Sequence, residues 1–211
     1  MERVPQRERC VTLDVPRFDA VILAGGRSSR LGGVPKAGLV LDGATLLQRT
    51  CAALAGAGRM TVVGPEPDDV GRLSPAAVFV REEPAFAGPA AAVVAGFRAG
   101  QGRRAPWCAV VACDMPRVAV LIEVLLGEAA AGAPVSLVAV DGGREQPLAA
   151  LYRSDDLATA IDAVLARGPA DNLSMRSLLA SVKTRPVPVP PGTTHDVDTW
   201  NDARALGIDV P

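Results

Sequence analysis

Short runs of Val, Ile, Leu and Ala with no polar residue between them recur along the chain, and most are followed by a loop and a stretch with helical spacing. The runs are DAVILAGG (19–26), MTVVG (60–64), AAVFV (76–80), WCAVVAC (107–113), PVSLVAV (134–140) and LAALYR (148–153). A strand with one wet face alternates apolar and polar residues, whereas a strand covered on both faces does not. Helical spacing follows over Ala44–Leu54, Pro89–Arg98, Arg117–Ala131 and Asp155–Arg167. Repeated β–loop–α units of this kind predict a three-layer α/β/α sandwich around a mostly parallel, Rossmann-like sheet. RPVPVPPG (185–192) is too rich in proline for a central strand and reads as an edge or a linker. A last helix is expected over Trp200–Leu206, stopped at Gly207. Residues 1–18 are charged and read as an N-terminal lead-in, and 19–211 as a single domain.

Composition removes several classes of function. With 49% hydrophobic residues among 211, the chain has material for a full core. Lys plus Arg is 22 against 23 for Asp plus Glu, and aromatics are 3%. Neither the basic excess nor the stacking residues of a nucleic-acid binder are present. The cysteines, Cys10, Cys51, Cys108 and Cys113, form no C-x-x-C pair, and His195 is the sole histidine, so a zinc site has few available ligands. Residues 1–19 carry no apolar stretch of the signal-peptide kind, and no run spans a bilayer. A cytoplasmic protein with reduced thiols, no nucleic-acid or membrane partner and an undetermined oligomeric state is the expectation.

In open α/β sheets ligands bind beyond the carboxyl ends of the strands, which directs attention to the loops after Leu23, Val80, Ala112 and Leu151. The first is LAGGRSSRLGGVPKAGL (23–39). Gly25 and Gly26 let backbone approach a ligand and present N–H groups to anionic oxygens. Arg27, Arg30 and Lys36 add three cations. Amide donors plus full charges are what a triphosphate requires. No Gly-Lys-[Ser/Thr] and no G-x-G-x-x-G occurs, so neither the Walker nor the dinucleotide fingerprint applies.

This segment resembles the signature of nucleotidyltransferases of the molybdenum cofactor guanylyltransferase type, roughly LAGGxSxRMGxDK, through Leu23, Ala24, Gly25, Gly26, Ser28, Arg30, Gly32 or Gly33, and Lys36. The similarity runs from Asp19 to Leu206 and implies a sheet of the nucleotide-diphospho-sugar transferase type. Leu31 replaces the usual Met. Pro35 replaces the Asp before the lysine and is closer to the cytidylyltransferases of the isoprenoid pathway, which leaves the subfamily open. The resemblance implies that Leu23, Ala24, Gly25, Gly26 and Lys36 bind the nucleotide, and that Gly26, in LAGG rather than LAAG, favours GTP.

Asp114 stands at the carboxyl end of the VVACDMP run (110–116), where one carboxylate with phosphate oxygens suffices for Mg²⁺. By composition alone a turn or helix cap is the better reading, but its place opposite the glycine-rich loop and the family's CDxP motif favour the metal. In HDVDTWNDARAL (195–206), Asp196 and Asp198 alternate on an extended approach and are expected on opposite sides. Asp198 resembles the acidic or amide residue of the family's closing motif near the metal. Capping of the last helix is its other reading, beside a Thr199-x-x-Asp202 capping box. His195 reads as structural.

REEPAFAGPAAAV (81–93) resembles the stretch whose acidic residue contacts base or ribose. Glu83 is the candidate for that contact, with Glu82 in a surface turn. GREQPLAALYR (143–153) resembles a strand near the second substrate. In NLSMRSLL (172–179), Arg176 is a candidate phosphate contact and Ser174 a helix cap. The resemblance implies Mg²⁺-dependent transfer of GMP from GTP to the phosphate of molybdopterin with release of pyrophosphate, with Lys36, Arg30 and Asp114 catalytic and Asp114 and Asp198 on the metal. Cytidylyl transfer, activation of a sugar, polyol or lactate phosphate, and a non-catalytic nucleotide-binding regulator are the alternatives.

Overall fold

The computed structural model describes residues 15–26, 28–67, 77–100 and 102–208. Arg27, most of the expected lead-in with Cys10, and Ala76 at the head of the expected third strand lie outside the described residues. The first strand, β1, spans Phe18–Leu23. Phe18 is buried, which moves the start of the folded core one residue ahead of the expected 18/19 division.

Two short strands, β2 (Val40–Leu41) and β3 (Ala44–Thr45), pair antiparallel beside the main sheet. Helix α1 therefore covers Leu46–Ala53 rather than starting at Ala44. Thr45 ends the pairing and caps the helix. Its Oγ1 accepts from the Gln48 N–H at 3.1 Å, while Gln48 Oε1 accepts from the Thr45 N–H at 2.8 Å. Then come β4 (Met60–Val63), β5 (Val78–Val80), α2 (Pro89–Ala99), β6 (Trp107–Ala112), α3 (Val118–Ala130), β7 (Ser136–Asp141) and β8 (Arg144–Arg153). The chain continues through α4 (Ser154–Leu165), α5 (Met175–Leu178), β9 (Thr184–Pro188) and α6 (Trp200–Ala205).

The strands form a sheet of order β5-β4-β1-β6-β8-β7-β9. All its pairings are parallel except those of β8 with β6 and with β7. Mostly parallel is therefore right, with β8 the reversed member. The reversal corrects one inference: residues after Leu151 lie at the far edge of the sheet, and it is the start of β8, ahead of the Ala149–Val111 pair, that borders the carboxyl end of β6. The prolines at 186 and 188 lie in β9, which is an edge strand, where a missing N–H costs no ladder bond.

Alternate residues of the central strands enter two cores. Ala20, Ile22, Val62, Ala109 and Val111 face α1 and α3. Val21, Val63, Val110 and Tyr152 face α2, α4 and α5. A third, smaller cluster joins Leu31, Leu39, Leu41 and Leu46 to Val197, Ala203 and Ile208. It fastens the glycine-rich segment after β1 to the C-terminal segment, and that contact assembles the site described below. Among the described residues no helix is long and apolar enough to cross a membrane.

Helix α2 lies against β1 and β4 at Gly96. A Cβ there would stand 2.5 Å from Val21 Cγ1 and 2.7 Å from Val63 Cγ2. In an exposed helix Gly→Ala gains about 1 kcal/mol. Here the overpacking cost of about 1–3 kcal/mol dominates, because both contacts are branched carbons held by the sheet. Gly96→Ala is therefore expected to lower the melting temperature by a few degrees in a calorimetric scan, and a rise would show that α2 can move off the sheet.

Candidate active site

The carboxyl ends of β5, β4, β1 and β6 border one cavity of about 630 Å³. Adjacent strands are about 4.8 Å apart, so from β5 to β6 it extends across roughly 14 Å. Leu23, Ala24, Gly25 and Gly26 line it from β1, Gly64 and Pro65 from β4, Arg81, Glu82 and Phe86 after β5, and Cys113 and Asp114 after β6. Leu148 joins them from the start of β8, and Pro35 and Lys36 from the returning glycine-rich segment.

Backbone ties hold these strand ends together. The Ala24 N–H donates to Val63 O at 2.8 Å, and the Cys113 N–H to Leu23 O at 3.0 Å. Gly64 permits the closest of these approaches, since a Cβ on it would lie 2.8 Å from the Ala24 carbonyl carbon. Helix α2 opens onto the cavity through Gly88 and Pro89 with no side chain capping it. Its first-turn N–H groups are thus left for an anion.

At the β6 end, Lys36 Nζ donates to Asp114 Oδ2 at 2.7 Å and to Asp198 Oδ1 at 2.6 Å. Arg30 Nη1 meets the other oxygen of Asp198 at 3.0 Å. The Lys36 and Asp114 side chains are only 22% and 17% exposed, so this pair is shielded, whereas Arg30 at 70% is screened by solvent. Burial by itself would lower Lys36, but hydrogen bonds and charge from Asp114 and Asp198 outweigh it and hold the ammonium above its ordinary value. The Lys36 hydrogen bond likewise draws Asp198 below the usual carboxylate range.

Asp196 enters the same cluster. One oxygen each from Asp114, Asp196 and Asp198 lie within 4.8 Å of one another. This corrects the expectation that Asp196 and Asp198 point apart. Val197, fully buried between them, donates its N–H to Asp114 O at 3.1 Å, and this anchor keeps both neighbours near Asp114. Burial first, and then the charges of Asp114 and Asp198, push Asp196 above the carboxylate range. Asp198 is not needed as the helix cap, since Thr199 and Asp202 supply the complete capping box of α6. Three clustered carboxylates form a hard oxygen donor set suited to a divalent ion such as Mg²⁺. The Lys36 ammonium already sits against two of them.

The expected nucleotide-binding residues Leu23, Ala24, Gly25, Gly26, Lys36 and Asp114 all border the cavity. Arg30 and Asp198 join its edge through Lys36. Glu82, expected in a surface turn, lines the cavity, whereas Glu83, the candidate for the base or ribose contact, is not among the lining residues. Local folding places Glu82 there: its Oε1 accepts from the Phe86 N–H at 3.0 Å, drawing 82–86 into a turn. Ser174 caps α5, as expected, and Arg176 is exposed away from the cavity lining. Gly64 and Leu148 were missed. The strand-end rule applied after Val63 would have found Gly64, whereas Leu148 depended on knowing that β8 is reversed.

Pro35, the departure from the signature, sits at φ −61° and ψ 121° ahead of a 3-10 turn over Lys36–Gly38. Those angles suit proline, so it presents Lys36 without strain.

A family model described as a MobA-like NTP transferase domain matches residues 20–185. A probable molybdenum cofactor guanylyltransferase of Opitutus terrae is 37% identical over 185 residues, covering 85% of this chain and 88% of that protein. A molybdenum cofactor guanylyltransferase of Burkholderia orbicola is 30% identical over 206 residues, covering 90% and 96%. Among solved structures, the molybdopterin-guanine dinucleotide biosynthesis protein A of Archaeoglobus fulgidus superposes with a TM-score of 0.62 at 20% identity, covering 90% of this chain and 97% of that one. A 2-C-methyl-D-erythritol 4-phosphate cytidylyltransferase of Thermus thermophilus gives 0.63 at 21% identity, covering 90% and 97%.

Proposed function

Since the chain belongs to the MobA-like NTP transferase family, we propose that it transfers GMP from GTP to the phosphate of molybdopterin cofactor, releasing pyrophosphate. The observation that carries this reading is the joining of the glycine-rich turn at Gly25 and the carboxylate of Asp114 in one cavity, with Lys36 between them. The guanine and ribose lie at the β5 and β4 ends, beside Glu82 and Gly64. The triphosphate lies over the Ala24–Gly26 backbone. Its α-phosphorus comes to rest near Lys36, and the acceptor enters from the Leu148 side.

A phosphate oxygen of the acceptor attacks the α-phosphorus in line. The bond from that phosphorus to the α–β bridging oxygen breaks, and its electrons leave with pyrophosphate. No side chain forms a covalent bond in this step, and positioning with charge neutralisation supplies the rate. Lys36 and the backbone N–H groups of the turn meet charge that grows on the phosphate oxygens. Arg30 holds Asp198 in place from outside. Asp114, Asp198 and Asp196 would hold a divalent ion such as Mg²⁺, which supplies further charge neutralisation at the phosphates.

The test is purified protein with molybdopterin cofactor and each of GTP and CTP in Mg²⁺, with pyrophosphate release and the dinucleotide product measured. GTP is expected to be turned over well ahead of CTP. Preference for CTP would move the chain to cytidylyl transfer, the reading that Pro35 favours. GTP binding with no pyrophosphate from any acceptor would make it a regulator instead.

A further inference from the structure

Besides the Lys36 and Arg30 bonds to Asp198 and a bond from Arg117 Nη1 to Pro191 O at 2.9 Å, the loop that carries Asp196 and Asp198 is tied to the fold at two further points. One is the Val197 N–H on Asp114 O at 3.1 Å. The other is the carboxylate of Asp141, the last residue of β7. Its Oδ1 accepts from the Gly192 N–H at 3.1 Å, and its Oδ2 from the Thr194 N–H at 2.9 Å and the Thr194 hydroxyl at 3.0 Å. The turn is closed on itself by the Thr193 hydroxyl, which donates to Pro190 O at 2.6 Å, and Thr193 is fully buried. Upstream, the Val189 N–H donates to Val140 O at 3.1 Å, so the loop leaves the sheet beside β7 and is clamped there at once. Only His195 and Asp196 lie between Thr194 and the Val197 anchor.

Three carboxylates within 4.8 Å repel one another; Lys36 bridges Asp114 and Asp198, but Asp196 has no such bridge and depends on the loop for its place. From this geometry we propose that Asp141 is a positioning residue, which fixes Asp196 and Asp198 opposite Asp114 by holding the Gly192–Thr194 turn. The inference rests on the reading of those three carboxylates as a cation site. Asp141 itself does not line the cavity. The Thr194 N–H, with the Gly192 N–H and the Thr194 hydroxyl and against a smaller opposing effect of burial, keeps its carboxyl below the usual range. It therefore meets all three donors as an ion at neutral pH. An amide in its place keeps one acceptor oxygen and turns its N–H₂ toward either the Gly192 or the Thr194 N–H, so Asp141→Asn leaves at least one of those backbone donors without its acceptor and loosens the turn.

The probe is Mn²⁺ alone, titrated into nucleotide-free protein and followed by the electron paramagnetic resonance signal of the free ion, with circular dichroism as the folding control. Loss of an outer partner of a ligand typically weakens metal binding by 10–100-fold, and Asp141→Asn is expected to raise the Mn²⁺ dissociation constant by roughly that factor. The GTP KM should stay within about twofold, because Asp141 is remote from the nucleotide, while the Mg²⁺ needed for half-maximal rate rises; simple destabilisation would not produce that split. Thr194→Val deletes the hydroxyl and keeps both backbone donors, and a smaller rise is expected. It decides the matter if Asp141→Asn does not fold. A folded Asp141→Asn, or failing that a Thr194→Val, that binds Mn²⁺ like the wild type overturns the proposal and leaves the cation site standing. If the wild type itself shows no saturable Mn²⁺ site that Asp114→Asn removes, the cation reading fails and takes this inference with it.

Discussion

Lys36→Met is expected to lower turnover about 10²–10³-fold, the usual effect of removing one oriented charge donor from a transition state. Its ammonium is in hydrogen-bond contact with both Asp114 and Asp198. The same substitution should have a second, opposite effect. In the nucleotide-free protein the ammonium occupies the place against the carboxylates that a divalent ion would take. Removing it leaves a cluster of three acids, one oxygen of each within 4.8 Å of the others, with the solvent-screened Arg30 still paired to Asp198. Mn²⁺ should then bind more tightly while GTP is turned over more slowly. A Lys36→Met protein that keeps turnover within about fivefold of wild type would remove the lysine from the chemistry. One in which both turnover and Mn²⁺ binding fall would instead indicate a collapsed site.

Asp114→Asn should be more damaging, by roughly 10³-fold or more in turnover, corresponding to about 4 kcal/mol of lost transition-state stabilisation. The fold should survive. The bonds that hold the loop there use backbone atoms: the Cys113 N–H on Leu23 O and the Val197 N–H on Asp114 O. Neither depends on the charge of the side chain. Lys36 also keeps its contact with Asp198 at 2.6 Å, so it is not left buried without a partner. The measurement is single-turnover formation of the guanylylated product, with a melting curve beside it. Activity near the wild-type level in a protein with unchanged melting would place the reaction elsewhere in the cavity.

The bond between Arg30 and Asp198 should matter less. Their bond at 3.0 Å lies in solvent, with the Arg30 side chain 70% exposed, and exposed pairs contribute roughly 0–1 kcal/mol. Arg30 nevertheless affects which way Asp198 faces, and so belongs to the geometry of the site more than to its charge.

Local rules were enough to read the layers, the parallel character of most of the sheet, and the cavity floor at Leu23–Gly26 and Asp114. A strand covered on both faces must be apolar at every position, and a ligand loop at a strand end must admit close backbone. Both leave marks in a few consecutive residues. The capping boxes at Thr45 and Thr199 are legible for the same reason, since each joins residues three apart.

The rest depended on contacts between segments remote in the chain. Asp196 joined Asp198 because a buried Val197 is anchored to the backbone of Asp114, more than eighty positions earlier, and alternation along an extended strand does not foresee such an anchor. Glu82 reached the cavity lining because its own side chain closes a turn on Phe86. Leu148 reached the cavity because β8 runs against its neighbours, a direction settled by pairing and not by its apolar pattern. Even the meeting of Lys36 with Asp198 required the small apolar cluster around Leu31, Leu39 and Val197. Residue types name the chemistry a chain has available; burial of remote apolar side chains against one another selects which of those groups come within bonding distance.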